Sequence, residues 1–306
     1  MKHFPSIDEH QSSRPKVSIA IPVYNGEAYL EQALESALGQ TYEELEIIVC
    51  DNGSSDRTES IARRLAARDS RVEYHRYEEN AGAALNFNRA LAFAKGTYFR
   101  WLAHDDLLAP EYVASCVSAL EGAGESAVLC FTDVRYMDAD GAPMPHRKEA
   151  RIDASRLSFG RLVRLSPTLC PALVFGLIRT DALRRTRGIG SFIMSDLITV
   201  AELRILGSFV RVPAPLFTQR LFPRTDRMKR STLRGEAVWF DPRNVNKRLF
   251  PHWKVTVEYV RSIRRLALPA RQPGLFLMAG MFIPACAFRA CKERTWALWS
   301  RLTLAA

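Results

Sequence analysis

No glycine-rich phosphate loop and no G-x-G-x-x-G follows any strand-like run in this 306-residue chain. That removes the dinucleotide fingerprint and, with it, the common oxidoreductase reading. No apolar stretch reaches the roughly 20 residues that a spanning helix needs. The longest, "GLFLMAGMFIPACAF" at 274–288, has 15 residues, is interrupted by Pro284 and is closed by Arg289. It is expected to be a core or interface-lying segment. The six cysteines form no CxxC pair and no metal-ligand spacing with histidine. Several sit in apolar runs, so buried thiols in a reducing compartment are expected rather than a disulfide framework. The opening "MKHFPSIDEHQSSRPK" lacks an apolar signal region, and a cytoplasmic location is expected. There is no internal repeat and no low-complexity tract.

What is present is an ordinary globular composition, 47% hydrophobic and 25% charged, with an uneven charge distribution. Residues 1–200 carry 23 basic and 27 acidic side chains, a balance of −4; the remaining 20 basic and 6 acidic groups in 201–306 give +14. Charge polarised in this way favours a polyanionic partner. No nucleic-acid-binding motif accompanies it, so an anionic membrane surface meeting residues 226–306 is expected and nucleic acid is not.

Along the chain, short apolar runs alternate with helical periods. "KVSIAIPVYNG" (16–26), "LEIIVCDNGSSD" (45–56), "RVEYHRY" (71–77), 97–102 and "AVLCFTDVRYM" (127–137) predict strands. Apolar positions 30, 33, 34, 37 and 38 share a helical face, with Asn25 as the expected cap. Asp56 with Glu59 resembles a capping box for a helix over 57–68. Helices are also predicted over 83–95, from Pro110, over 153–165 and from 195. "SPTLCP" reads as a turn, "ALVFGLIR" (172–179) as a strand, and the chain from about 230 as helical. This order implies βαβ units and a mostly parallel central sheet flanked by helices. Ligands of such sheets bind beyond the carboxyl ends of the strands. Tyr24-Asn25, Asp51-Asn52-Gly53 and Asp105-Asp106 each follow a predicted strand, so three polar clusters should converge on one edge.

Each cluster has a structural and a chemical reading. Asp105 and Asp106 either cap the helix beginning near Pro110 or hold Mg²⁺ or Mn²⁺ together with phosphate oxygens. Tyr24 offers a flat face at a strand's mouth, and Asp51 offers an acceptor for a ring N–H or a ribose hydroxyl. Asn80, Asn86 and Asn88 surround a glycine in "ENAGAALNFNRAL" (79–91). Asparagine inside an apolar helix is costly unless paired, so these side chains should face a polar site or tie down a neighbouring loop.

"PVYNGE", "IIVCDNGSSDRT", "NAGAALNFN" and "WLAHDD", in this order and spacing, resemble the family 2 glycosyltransferases of GT-A fold across roughly residues 17–220. The resemblance implies an inverting enzyme that takes a nucleotide-sugar donor, with a UDP-sugar expected, and a carbohydrate or lipid-linked acceptor. By position it assigns Pro22, Tyr24, Asn25, Glu27, Asp51, Asn80, Asn86 and Asp106 to the nucleotide-sugar site and Asp105 to a divalent metal. It makes Asp196, in "FIMSDLITVAEL", the general base, where residues alone suggest a helix N-terminal acid. Gln219 and Arg220 fall where relatives contact phosphate or acceptor. Three positions depart from the pattern: Ala103 replaces the first acid, Phe87 an arginine common in the family, and Phe222 a histidine. The expected organisation is a flexible segment 1–15, a GT-A domain 16–225 and a helical basic region 226–306. A sugar-phosphate nucleotidyltransferase would want a basic glycine-rich loop where "PVYNGE" stands; a non-catalytic binding protein is the other alternative.

Overall fold

The structure is a computed structural model that describes residues 15–144, 173–222, 232–247 and 249–267. The helix predicted over 153–165, the turn at 166–171 and the apolar run 274–288 lie outside the described residues, as does most of segment 1–15.

An eight-stranded sheet forms the centre: β1 (Val17–Val23), β2 (Leu45–Asp51), β3 (Val72–Arg76), β4 (Tyr98–Trp101), β5 (Leu107–Leu108), β6 (Ala127–Met137), β7 (Leu177–Arg179) and β8 (Ser208–Arg220). The spatial order is β3-β2-β1-β4-β7-β6-β8-β5. The first four strands run parallel, β6 pairs parallel with β8, and the pairings of β7 and β5 are antiparallel. Helices α1 (Leu30–Leu38), α2 (Thr58–Arg68), α3 (Ala83–Phe93), α4 (Tyr112–Gly122), α5 (Thr180–Arg185) and α6 (Ser195–Leu206) surround it. A basic helical region follows, with α7 (Leu233–Phe240), a short 3₁₀ turn (Pro242–Asn244) and α8 (Pro251–Ser262), which runs into a π turn. Among the described residues no helix is long and apolar enough to cross a membrane.

β1 and β2 are buried at every position, which is why both read as continuous apolar runs rather than alternating ones. Their side chains nevertheless divide by parity. Ile19, Ile21, Ile47 and Val49 join the core under α1 and α4, whereas Ala20, Ile48 and Cys50 join the core under α3 and α6. The polar exception inside β1, Ser18, donates to Glu46 Oε1 (2.6 Å) and accepts from the Gly96 amide (2.8 Å), so its hydroxyl is satisfied. Successive crossovers carry the chain from β1 to β3 on one side, and β4 then returns to the other side of β1. This reversal opens a crevice beyond the strand ends, where α/β sheets take their ligands.

Candidate active site

The loops that leave β1 and β2 are laced to each other. The Asn25 amide donates to Ser54 Oγ (2.9 Å), Gly26 to Thr58 Oγ1 (2.8 Å) and Glu27 to Asp56 Oδ2 (3.0 Å). In return the Ser55 amide donates to Asn25 Oδ1 (2.9 Å) and Arg57 to Glu27 Oε2 (3.1 Å). Two sequence expectations are corrected here. Asn25 does not cap α1: at φ 51° it turns the chain in the left-handed region, and its side chain serves the opposite loop. Asp56 does accept from the Thr58 amide (3.0 Å), but Glu59 closes no box, because it pairs outward with Arg63 and Arg76. The lacing leaves Tyr24 half exposed at the mouth, with Pro22 buried beneath it in β1. Hydrogen bonds from the Arg57 amide and guanidinium hold the Glu27 carboxyl below its usual range.

Asp51 ends β2 fully buried. Its Oδ1 accepts from the Ser54 amide (2.8 Å) and its Oδ2 from the Tyr74 hydroxyl (2.7 Å), with Arg76 Nε at 3.9 Å. Burial, and then the bond to Asp51, push the Tyr74 phenol up. Each carboxylate oxygen keeps a lone pair beyond its protein partner. The neighbouring Asn52, also buried, organises the asparagine loop by donating to Asn80 Oδ1 (2.8 Å) and accepting from the Ala81 amide (3.2 Å). Asn80 Oδ1 also accepts from Gly82 (2.9 Å). Gly82 sits at φ 91°, and a Cβ there would lie 2.6 Å from the Phe240 carbonyl, so the C-terminal region closes directly over this loop.

Asn88 is paired through both ends of its amide, whereas Asn86 is paired only through its nitrogen and its buried Oδ1 has no partner among the described residues. Asn86, 3% exposed, donates to the Cys50 carbonyl (2.9 Å) and so pins α3 to the end of β2. It lies under the loop. Asn88 reaches across the chain: its Nδ2 donates to the Ile189 carbonyl (2.7 Å) and its Oδ1 accepts from the Ile189 amide (2.9 Å). Phe87 packs against Trp101 and Phe175, with ring centroids 5.9 and 6.4 Å away.

The acid pair is unequal. Asp105 is half buried in the turn after β4, whereas Asp106 is 2% exposed. Asp106 Oδ1 accepts from the Arg220 amide (2.9 Å), and β5 intervenes before α4, which begins at Tyr112. Asp106 therefore ties β4 to β8 and does not cap the following helix. Burial first, and then the charge of Asp105, raise its pKa well above the usual range. Arg220 closes the arrangement: its guanidinium donates to the carbonyls of Asp105 (3.1 Å) and Ala139 (2.9 Å) and to Gln32 (2.8 Å), and lies 4.4 Å over Tyr29. Phe222 packs on the same tyrosine at 5.6 Å. A Cβ on Gly26 would fall 2.8 Å from the His104 ring, so the first motif and the acidic turn are in contact. Behind them lies Arg100, fully buried, with its guanidinium 4.1 Å over Tyr112 and 4.6 Å over Phe217. Its three nitrogens have no hydrogen-bond partner among the described residues.

Among the described residues no group of three or more His, Cys, Asp or Glu could cage a metal. A Mg²⁺- or Mn²⁺-type ion taking one or two protein carboxylates and completing its shell with ligand phosphates and water does fit the rim. Asp105 is half buried, and its neighbour Asp106 is buried and hydrogen-bonded.

Asp196 lies in the first turn of α6, where the Leu197 amide donates to its Oδ1 (3.0 Å). α6 starts from Met194 at φ 66°, and Thr199, one turn in, ties the helix to the Gly188 carbonyl (2.7 Å). The loop that delivers Asp196 is thus fastened to α3 through Asn88. Sequence reasoning named Asn52 only as a member of the strand-end cluster and assigned no role to Tyr74. Tyr74 could have been found from register, since it pairs with Val49 two positions short of Asp51.

The family model for glycosyl transferase family 2 matches residues 18–186, more than half of the chain. The chain belongs to this family. It is 40% identical over 124 residues to an uncharacterized glycosyltransferase from Rickettsia typhi, covering 40% of this chain and 38% of that one. It is 36% identical over 142 residues to a hyaluronan synthase from Pasteurella multocida, covering 46% of this chain and 14% of the synthase. The chain thus spans well under half the length of these relatives. Among solved structures, S. aureus TarS 1–349 in complex with UDP-GlcNAc matches with TM-score 0.55 at 16% identity, over 81% of this chain and 72% of that one. The mannosyltransferase PcManGT from Pyrobaculum calidifontis, in complex with GDP-Man and Mn²⁺, matches with TM-score 0.54 at 18% identity, over 94% and 88%. These identities carry the fold.

Proposed function

We propose that this chain is an inverting glycosyltransferase moving a sugar from a nucleotide-sugar, a UDP-sugar by preference, to a hydroxyl of a carbohydrate or lipid-linked acceptor. The observation that carries the reading is the convergence of the β1, β2 and β4 ends on one crevice, with one acid half buried and its neighbour wholly buried. Tyr24 supplies the face for the base. Asp51, already oriented by Tyr74 and Ser54, accepts from the base with its remaining lone pairs. Asn25, Glu27, Asn80 and Asn86 hold the walls of the crevice, Asn86 from beneath. Asp105 would hold Mg²⁺ or Mn²⁺ with the donor's diphosphate, and the ion would neutralise charge on the leaving group.

Asp196 accepts the proton of the acceptor hydroxyl as its oxygen bonds to the anomeric carbon. The bond from that carbon to the diphosphate oxygen breaks in the same displacement, so the nucleoside diphosphate leaves with the electron pair and the configuration inverts. A carboxylate anchored by its own helix's first-turn amide is oriented for this task. Release of nucleoside diphosphate from a donor panel, with and without Mn²⁺ and with acceptor oligosaccharides, tests the reading. Asp196→Asn should keep donor affinity and lose transfer by about 100-fold or more; substantial residual transfer removes it as base. We further infer peripheral docking of 226–306 on anionic membranes. Flotation with phosphatidylglycerol liposomes checks this, and docking that survives removal of those residues refutes it.

A further inference from the structure

A cavity of about 700 Å³ lies where the 187–195 loop, the start of α6, the 3₁₀ turn and α8 meet. Its charge is lopsided. Glu258, on α8 and 4% exposed, gathers three cations: Arg187 Nη1, Lys254 Nζ (2.9 Å) and Arg261 Nη1 (2.7 Å). Lys254 and Arg261 stand one turn to either side of Glu258 on a single face of α8, and Arg187 comes from the facing loop. Lys247 adds a fourth cation to the lining. Arg187 also approaches Glu202 (3.9 Å), which Arg265 shares (2.8 Å), so two carboxylates face five positive groups, and the remaining repulsion is relieved by an added anion.

Two independent features complete the recess. Ser195, 1% exposed, lines it immediately before Asp196, and its hydroxyl has no hydrogen-bond partner among the described residues. Opposite, Phe192 and the half-exposed Trp253 provide apolar wall, with Lys254 Nζ 5.3 Å over the Phe192 ring. Cations from two elements around one point suit a group with several anionic oxygens, and arginine forks favour phosphate. The aromatic wall suits an apolar portion or a sugar face.

The geometry points to this cavity as an anion site, taking a phosphate-bearing ligand whose phosphate lies on Arg187, Lys254 and Arg261. Anion binding here does not depend on the transferase reading above. The phosphate chemistry is shared by a lipid-linked phosphate and a soluble sugar phosphate.

The test is calorimetric titration of the full chain with octyl phosphate, glucose 6-phosphate and, as the neutral control, octyl glucoside. Octyl phosphate should bind, weaken with salt, and lose about tenfold in affinity in Arg261→Gln and in Lys254→Gln. Each variant leaves two cations on Glu258, so the fold is not stripped of its pairing, and unchanged thermal unfolding verifies this. Octyl glucoside should bind at least about tenfold more weakly. Octyl phosphate binding tighter than glucose 6-phosphate identifies a lipid-linked source; equal binding identifies a soluble one. No binding, equal binding by both variants and wild type, or displacement by nucleoside diphosphate overturns the proposal. A chain that binds octyl phosphate through these cations but binds no nucleoside diphosphate would instead remove the transferase reading and leave the anion site standing.

Discussion

Asn88→Ala separates the part of the molecule that binds donor from the part that delivers the base. Asn88 makes two hydrogen bonds to one residue 101 positions away, and Ile189 is 5% exposed. Each bond contributes about 0.5–1.5 kcal/mol net, and a buried amide or carbonyl left unpaired costs about 1–3 kcal/mol. Water entering the space vacated by the side chain recovers part of that, so the loss should be about 2–4 kcal/mol. It should fall on the 186–195 loop more than on the sheet, because Gly188 is closed onto Asn88 and Thr199 hangs from Gly188. The crevice formed by β1, β2 and β4 is laced independently and should keep its donor affinity. A base displaced by about 1 Å costs on the order of 100-fold in transfer. Urea unfolding, hydrogen exchange at residues 186–195 and nucleoside diphosphate release read the three effects on one variant. A stability change under about 0.5 kcal/mol with transfer kept would refute the coupling, as would a parallel loss of donor affinity.

Other predictions test the buried charges. Arg100 is wholly buried with no hydrogen-bond partner among the described residues, and burial lowers its pKa. A buried charge with no hydrogen-bonded counter-charge carries its desolvation cost uncompensated, and an apolar side chain of similar length removes that cost. Arg100→Met should leave stability within about 1 kcal/mol of wild type or raise it. A fall of about 3 kcal/mol or more would show instead that Arg100 balances an ionised Asp106. Glu46 is nearly fully buried; burial works to raise its pKa, but bonds from Ser18, Lys16 and the Lys95 amide outweigh this and lower it. A depressed folded pKa means stability that is present above the unfolded value, about 4.3, and lost as pH falls through the lower folded one. The urea midpoint should therefore decline below about pH 4.3. Glu46→Gln should flatten that decline, and an unchanged slope would assign it to other carboxylates.

The sequence made the strand ends legible because period, length and parallel order are local properties. Once "KVSIAIPV", "LEIIVCD" and "YFRW" are parallel neighbours, Tyr24, Asp51 and Asp105 must share an edge. What was illegible depended on distant partners. The inequality of Asp105 and Asp106 is set by the Arg220 amide, 114 positions on from Asp106. Asn25 failed as a cap because its target is a different loop, reached only at a left-handed φ. The pairing of Asn88 could be expected from its cost in a helix, but its partner could not. The cluster on Glu258 was visible only as a sum of charge over the last third, since Arg187 joins it from 71 residues away. The departures at Phe87 and Phe222 are resolved by packing, each ring lying against an aromatic neighbour.

The central claim is that the rim beyond β1, β2 and β4 holds a nucleoside diphosphate through a cation shared with Asp105. The most direct measurement is calorimetric binding of UDP to wild type and Asp105→Ala, each with and without Mn²⁺. The account predicts that Mn²⁺ tightens binding to wild type by at least about tenfold, roughly 1.4 kcal/mol, and does nothing for a folded Asp105→Ala. An equal Mn²⁺ effect in both proteins would contradict it.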